Sequence, residues 1–594
     1  MREFSVAARV DPYPGSMADI VAEIATTTPQ TVMFRRRVSG TWTDVTAREF
    51  ATEVDTLARG LRAHGVQTGD RVALMARTRY EWTLCDFAIW AAGAVTVPIY
   101  ETSSAEQVAW ILGDSKAVAA IVENESHAGI VKQVSDRLPD LRHTWIMDDG
   151  LDAVTEAGQS LAEDELARAR AGVDRDSPAT IIYTSGTTGR PKGCVLTHAN
   201  FADTSRSGGT ILTELLEGTN ASTLLFLPLA HIFARYIQTL CVTTRTTMGH
   251  LEDPTKLVDT LPEFRPTFLL AVPRVFEKVY NAAETKAESE GKGAIFRRAA
   301  GVAIDFSRAQ DTGGLGPLLR LQHAVFDRLV YRKLRARLGG HVAFAISGGG
   351  PLGERLGHFF RGVGVTILEG YGLTETTAPA TVNTPDRVKI GTVGKPLPGV
   401  GIRIADDGEV LIKGVNVLRE YFGNPEATAT AIRDGWFHSG DIGDLDEEGF
   451  LRITGRKKEI IVTSNGKNVV PSVLEDRMRA HAIISQCLVV GDNRPFITAL
   501  VTLDAEMLPA WLANRNLPAM TVAEAAGHEA VRAAVQDAVD DANTIVSRAE
   551  SVRKFEILDV DFTEQGGQLT PSLKLKRSVV LDQFGSEVDR MYAG

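Results

Sequence analysis

The stretch Ile181-Ile182-Tyr183-Thr184-Ser185-Gly186-Thr187-Thr188-Gly189-Arg190-Pro191-Lys192-Gly193 decides how the rest of the chain is read. Ahead of it, the apolar run Ala179 to Tyr183 predicts a short strand. The run empties into Gly, Ser, Thr and cations. Glycines let backbone N–H groups turn toward one point and let a ligand come close. Hydroxyls and N–H groups suit phosphate oxygens, which accept strong hydrogen bonds, and Lys192 adds a mobile positive charge. A Gly/Ser/Thr run alone would read as a surface linker. Strand, Pro191 and Lys192 in one register point instead to a loop that holds the β- and γ-phosphates of a nucleotide. It is not the GxxxxGK[ST] loop, because Gly186 and Lys192 stand at the wrong spacing and Gly193 follows the lysine.

At 594 residues the chain is too long for one core, so two or more domains are expected. A hydrophobic fraction of 44% and 23% charged residues are ordinary for a globular protein. The net charge of -11 leaves no basic footprint for nucleic acid, so an anionic ligand must be met by a local cationic site. Cys85, Cys194, Cys241 and Cys487 are scattered, which suggests neither a metal site nor a disulfide framework and fits a reducing compartment. The N-terminal MREFSVAARVDPYPG has no apolar signal region. The nearest approach to a membrane span, Trp82 to Tyr100, is broken by Asp86, Gly93 and Pro98 and reads as a core helix followed by a strand. The expected location is cytoplasmic. Peripheral contact with the inner face of a membrane stays open, as does monomer against homodimer.

Upstream of the loop, helical and strand patterns alternate. Phe50, Val54, Leu57 and Leu61 mark one face of a helix over 46–64. Strands are expected at 71–75, 94–99 and 117–122, separated by helices, which implies parallel βαβ units. The Ala/Glu/Asp/Arg-rich 150–176 reads as a surface excursion. Downstream, a strand over 224–229 delivers His231 at its end, either beside a carboxylate or thioester or as a hydrogen-bonded core histidine. Pro273 opens a long helical region to about Arg337, broken at Thr312-Gly313-Gly314-Leu315-Gly316. Short alternating strands from Gly391 onward suggest a small β-subdomain.

Gly348-Gly349-Gly350-Pro351-Leu352-Gly353 formally satisfies GxGxxG, with a strand before it, a helix after it and Glu369 about 20 positions on. A dinucleotide reading, however, leaves the loop at Ser185 unexplained. Glycine backbone lining a flat adenine accounts for both. Glu369-Gly370-Tyr371-Gly372-Leu373-Thr374-Glu375-Thr376 then supplies a ring to stack on a purine, a hydroxyl for the α-phosphate and a carboxylate for Mg²⁺. Asp441, between Gly440 and Ile442-Gly443, can accept from ribose hydroxyls, and Arg456 can bond ribose or phosphate.

Together the loop at Ser185, the Tyr371-Gly372-Leu373-Thr374-Glu375 string and Gly440-Asp441 resemble the adenylate-forming superfamily of acyl-CoA synthetases, peptide-synthetase adenylation domains and luciferases. The details are most similar to bacterial long-chain fatty acid–CoA ligases. The resemblance implies an α/β fold: a large N-terminal domain of layered α/β subdomains plus a small β-subdomain over 1–457, hinged to a small mobile C-terminal α+β domain over 458–594. It implies ATP-dependent conversion of a long-chain fatty acid to acyl-adenylate, then transfer to coenzyme A with release of AMP and pyrophosphate. The alternative is an acyl-AMP ligase that loads a carrier protein. ATP, Mg²⁺ and coenzyme A are the implied cofactors. The implied nucleotide-site set is Thr184, Ser185, Gly186, Thr187, Thr188, Gly189, Lys192, Gly348, Gly349, Gly350, Glu369, Gly370, Tyr371, Gly372, Asp441, Ile453 and Arg456, with Thr184 and Glu375 as metal contacts. Thr374 and His231 join the catalytic group, His231 as a gate to the acyl site. Lys458 is the implied hinge and Gly466 meets the pantetheine channel. In Gln568-Leu569-Thr570-Pro571-Ser572-Leu573-Lys574-Leu575-Lys576 the register of Thr570 points to Lys574 as catalytic lysine. Leu569 and Leu573 depart from the superfamily's Arg and Gly, which keeps Lys576 as an alternative.

Overall fold

The apolar run before the phosphate loop is strand Pro178–Thr184, in a computed structural model that describes residues 2–184, 190–216, 220–570 and 574–593. It pairs antiparallel with Lys192–Thr197, with Thr184 opposite Lys192, and the two strands make a hairpin. The segment after the loop is thus a strand, and it leads straight into a helix. That helix, His198–Gly209, begins with a capping box built by Thr197 and Asn200.

The hairpin forms one side of a seven-stranded sheet in the order Glu420–Tyr421, Lys192–Thr197, Pro178–Thr184, Val95–Ile99, Arg71–Met75, Ala119–Val122, His143–Ile146. From Pro178–Thr184 to His143–Ile146 all neighbours run parallel, as the alternating pattern predicts. A second sheet aligns Phe268–Ala271, Phe344–Ser347 and Thr366–Tyr371 in parallel and adds two short antiparallel strands. Both parallel sheets send their C-terminal strand ends toward one crevice, where open α/β sheets bind ligands. A four-stranded sheet joins Ser222–Leu225 and Thr247–His250 to the hairpin Val32–Val38 and Thr41–Thr46. The small β-subdomain is antiparallel. Its edge strand is Arg2–Ser5, paired residue by residue with 401–404, a contact that nothing local in the N-terminus announces.

Helix Ala47–Ala63 buries Phe50, Val54, Leu57 and Leu61, each worth roughly 1.5–3 kcal/mol against exposure. Its Gly60 packs against the carbonyl of Val154. The expected surface excursion is therefore partly a docked layer: helix Asp152–Ala157 lies on that helix, because glycine lets the two backbones touch. The strand before His231 ends at Leu225, earlier than its apolar run, since Pro228 enters a turn.

After the large sheets come a two-stranded ribbon, Ile461–Val462 with Asn468–Val469, and a three-stranded sheet, Ile484–Val490, Ile497–Leu503 and Val552–Ile557. Their side chains form two cores of their own, one around Leu474, Met478 and Val501, the other around Leu488, Phe562 and Val580. No helix among the described residues is long and apolar enough to cross a membrane.

Candidate active site

A cavity of about 980 Å³ lies where the two parallel sheets, the β-subdomain and the C-terminal segment meet. Thr184, Lys192, His231, Gly348, Gly349, Gly370, Tyr371, Gly372, Thr374, Glu375, Arg456, Lys458 and Lys574 all line it. They come from segments nearly 400 residues apart in sequence. Ser185, Gly186, Thr187, Thr188 and Gly189 lie outside the described residues.

The floor is backbone. Gly348 and Gly349 follow strand Phe344–Ser347, and a Cβ at Gly348 would press on the Phe233 ring at 3.3 Å. Across from them, Tyr371 ends strand Thr366–Tyr371. Gly372 leaves no room for a side chain, because a Cβ there would be driven into the carbonyl oxygen of Ala378. The turn Thr374–Thr376 follows, and Thr377 and Ala378 are held at φ of 53° and 71°, conformations that cost energy for residues with a Cβ. The strained loop is tied down: Thr376 closes on Leu373, and the Thr377 hydroxyl donates to the carbonyl of Asn416 at 2.7 Å. Thr374 and Glu375 are presented from it to the cavity.

Asp441 and Arg456 stand directly opposite each other on strands Trp436–Leu445 and Leu451–Arg456. The Arg456 Nε donates to Asp441 at 3.0 Å, and the Tyr371 hydroxyl donates to its other oxygen at 2.6 Å. Asp441 is buried and stands behind the lining, while Tyr371 and Arg456 face the space. Burial, then the Asp441 carboxylate, pushes the Tyr371 phenol well above its ordinary range. Burial would lower Arg456, but Asp441, Glu459 and Tyr371 together outweigh it and the guanidinium stays charged.

Glu375 accepts a hydrogen bond from the Tyr421 hydroxyl at 2.9 Å, and the Lys192 ammonium sits 5.2 Å from the centre of the Tyr421 ring. Tyr421 thus links the carboxylate to the lysine of the phosphate loop. Its sequence neighbourhood, an aromatic pair before Gly423-Asn424-Pro425, reads only as a turn, so the residue escaped notice. Among the described residues no group of three or more His, Cys, Asp or Glu could cage a metal ion. One carboxylate beside a phosphate loop nonetheless fits Mg²⁺, which is usually held by one or two carboxylates plus substrate phosphates.

Lys574 enters from the C-terminal segment. Its backbone N–H donates to the Thr570 hydroxyl at 3.0 Å and its carbonyl accepts from Thr570 N at 2.8 Å, so two bonds tie the lysine to Thr570. Its chain still touches water through the cavity. Crowding of the ammonium by protein, then Arg456, lowers its pKa, with Asp441, Glu375 and Glu459 opposing. Lys576 is not among the lining residues; its N–H donates to the carbonyl of Gln568 at 2.7 Å.

His231 caps helix Ile232–Thr244, its Nδ1 accepting from Phe233 N at 3.2 Å. Removal from water, helped by nearby Lys574, holds its pKa down at about 3, so it is neutral. The same cavity is also lined by the apolar side chains of Ile111, Leu212, Ile232, Phe233 and Ile237. Gly208, in that lining too, lets helices His198–Gly209 and Ile232–Thr244 pack closely, since a Cβ there would strike the Tyr236 hydroxyl.

Gly350, Glu369, Ile453 and Gly466 are not among the lining residues. Glu369 turns to the glycine loop and accepts from Leu352 N at 3.0 Å; burial raises its pKa to about 7. This bond ties the GxGxxG loop to the end of strand Thr366–Tyr371. Ile453 packs within strand Leu451–Arg456. Gly466, at φ 76°, makes the turn between Thr463 and Lys467 with open space around it.

Residues 21–422 match the family model described as AMP-binding enzyme, and 458–594 match the one described as AMP-binding enzyme C-terminal domain. The chain is similar to the long-chain-fatty-acid–CoA ligase FadD15 of Mycobacterium bovis, 51% identical over 100% of both chains. The FadD15 of Mycobacterium tuberculosis is 50% identical over the same span. Among solved structures, the A domain of a carboxylic acid reductase from Segniliparus rugosus, in complex with AMP and a co-purified carboxylic acid, superposes with a TM-score of 0.75 at 21% identity, covering 97% of this chain and 94% of that one. The anthranilate CoA ligase AuaEII in complex with anthranoyl-AMP gives 0.72 at 18%, covering 97% and 98%. Fold, glycine-floored cavity and end-to-end similarity agree, and the chain belongs to the AMP-binding enzyme family within the adenylate-forming superfamily.

Proposed function

We propose that the chain is an AMP-forming ligase that couples a long-chain fatty acid to coenzyme A. One observation carries the reading: Lys574, Glu375, Thr184 and Lys192 share a single cavity with neutral His231 and the apolar side chains of Ile111, Leu212, Ile232 and Ile237. The names of the full-length relatives support the same activity.

A carboxylate is a poor acyl donor because its leaving group would be oxide. Its attack on the α-phosphorus of ATP forms an O–P bond, breaks the bond to pyrophosphate and leaves a mixed anhydride with AMP. Negative charge builds on the α-phosphate and on the departing pyrophosphate. Cations aimed there stabilise the transition state more than the ground state. Lys574 takes the α-phosphate and the carboxylate; Thr184, Lys192 and the loop between them take the outer phosphates. Glu375 and Thr184 would hold Mg²⁺, which when bound neutralises phosphate charge. Tyr371 backs the adenine, and the Asp441–Arg456 pair meets the ribose. Neutral His231 can face the acyl carboxylate without forming a fixed ion pair. In the second step a thiol forms a C–S bond and AMP leaves with the C–O electrons.

The two steps need different surroundings for one acyl group. We assign the hinge to Lys458 and the moving unit to 458–594, which withdraws Lys574 and brings Gly466 inward. The contacts that this motion breaks include the part-buried pair Arg274–Asp504 at 2.9 Å and the exposed pair Lys278–Glu506 at 2.8 Å, the second of which is worth little. The four cysteines are free and buried, which supports a reducing, cytoplasmic setting. The deciding experiment measures pyrophosphate and AMP across fatty acids of graded length, with and without coenzyme A. Acyl-CoA and AMP in equal amounts are expected, rising toward long chains. Pyrophosphate without acyl-CoA would transfer the acceptor role to a carrier-protein thiol; no pyrophosphate with any acid would end the reading.

A further inference from the structure

Outside the cavity lining, helix Pro317–Phe326, the π turn Asp327–Tyr331 and helix Arg332–Arg337 run on as one rod. One face of the rod is anchored. His323 stacks on Phe306 with 3.7 Å between ring centroids and bonds the carbonyl of Gly362 at 2.7 Å. The Tyr331 hydroxyl donates to Ala299 at 2.6 Å, and Tyr331 and Leu334 are buried.

The opposite face has nothing over it. Leu318, Leu321, Val325 and Leu329 are 67%, 63%, 48% and 55% exposed. Steps of three, four and four residues keep them on one stripe. Singly exposed apolar side chains are ordinary. Here, however, the three most exposed large hydrophobic side chains among the described residues, Leu318, Leu321 and Leu329, stand together. Beside and beyond them along the rod are the exposed cations Arg328, Arg332, Lys333 and Arg337. The rod has one acid, Asp327, half-buried in an ion pair with Arg335 at 2.7 Å. Glu290, which acts on Lys333 from the end of helix Pro273–Ser289, is itself paired with Lys292 at 2.8 Å.

This local surplus of cations runs against a chain of net charge -11. Apolar side chains flanked by Arg and Lys on one helical face suit the boundary between lipid headgroups and acyl chains. Anionic headgroups supply the matching charge. A second copy of the same face would set cation against cation. We propose that this rod lies flat on an anionic lipid bilayer, its four apolar side chains in the headgroup–acyl boundary and its cations on lipid phosphates. The proposal holds whether or not the chain is a ligase.

Flotation tests it, using vesicles of phosphatidylglycerol and phosphatidylcholine against phosphatidylcholine alone. The full chain is expected to float with the anionic vesicles only, and less as salt is raised. Replacing Leu318, Leu321, Val325 and Leu329 together by Gln should lower partitioning about tenfold or more, while turnover of a short, water-soluble acid stays unchanged. Because the native cysteines are buried, Val325→Cys can be labelled selectively with an environment-sensitive dye. A blue shift with anionic vesicles is the expected result. No flotation, equal flotation with neutral vesicles, undiminished flotation of the fourfold variant, or an unshifted dye would each overturn the proposal. So would a concentration-dependent dimer that the fourfold variant dissolves.

Discussion

Two carboxylate–guanidinium pairs sit at opposite depths of the molecule. Asp86 and Arg235 are both fully buried. Asp86 accepts from the Thr96 hydroxyl at 2.8 Å, from Arg235 Nε at 2.9 Å and from Gln238 at 3.0 Å. The guanidinium lies against Trp82, Trp90 and Phe201. Every strong valence of this pair is spent inside the protein. Asp441 and Arg456 use the same chemistry, but the carboxylate side chain is 4% exposed and the guanidinium 43%. There the protein supplies Tyr371 and one arginine nitrogen, and the rest of the arginine faces the cavity. A saturated ion pair holds helix Ile232–Thr244 and strand Pro178–Thr184 to helix Tyr80–Ala91. The unsaturated pair leaves arginine donors facing the cavity, where we propose the ribose sits. What separates structure from site is not the residue types but which hydrogen-bonding positions the fold leaves unspent.

The comparison breaks most visibly at the saturated pair. Arg235→Ala strands a buried carboxylate and should cost about 3–5 kcal/mol, read as a large fall in Tm; a variant of unchanged Tm would show that the pair is not structural. Lys574→Ala should lower adenylation about a thousandfold, on the scale of a lost transition-state donor. Its Tm and its conversion of supplied acyl-adenylate to thioester should change little, and equal loss of both half-reactions would refute the assignment. Asp441→Ala should raise the KM for ATP about tenfold to a hundredfold, since a charged hydrogen-bond network is worth about 1.5–3 kcal/mol, while Tm barely moves. Tyr421→Phe removes one hydrogen bond to Glu375 and should lower turnover about fivefold, with a matching rise in the Mg²⁺ concentration needed for half-activity.

Glu369→Gln should leave activity nearly unchanged and alter only the pH profile of stability. Its folded pKa is about 7 against 4.5 unfolded. The folded chain therefore holds a proton that the unfolded chain has lost. That contribution is full below pH 4.5, declines as pH rises, and is gone above about 7. The Gln variant should flatten the decline; a raised KM for ATP instead would return Glu369 to the nucleotide.

Much of the site was legible because phosphate and purine chemistry is written in short strings. The Thr184 to Lys192 loop needs contiguous glycines and hydroxyls, and Tyr371 through Glu375 needs an unobstructed turn, so each betrays itself locally. Gly372 is readable for the same reason: no side chain fits beside Ala378. Where Glu369 points was not legible, because position after a GxGxxG says nothing about a carboxylate's direction; it accepts from Leu352 N. Tyr421 left no trace, as it works through a partner 46 residues away.

Helix and strand periodicity, the phosphate loop and the purine string follow from local sequence, because φ/ψ preference and side-chain chemistry act over a few residues. Folding alone decided that Asp441 would answer to Tyr371, that Lys574 and not Lys576 would reach the cavity, and that Arg2–Ser5 would edge a sheet formed 400 residues later. Those outcomes depend on which distant surfaces meet, and long-range packing leaves no mark on the period of any single segment.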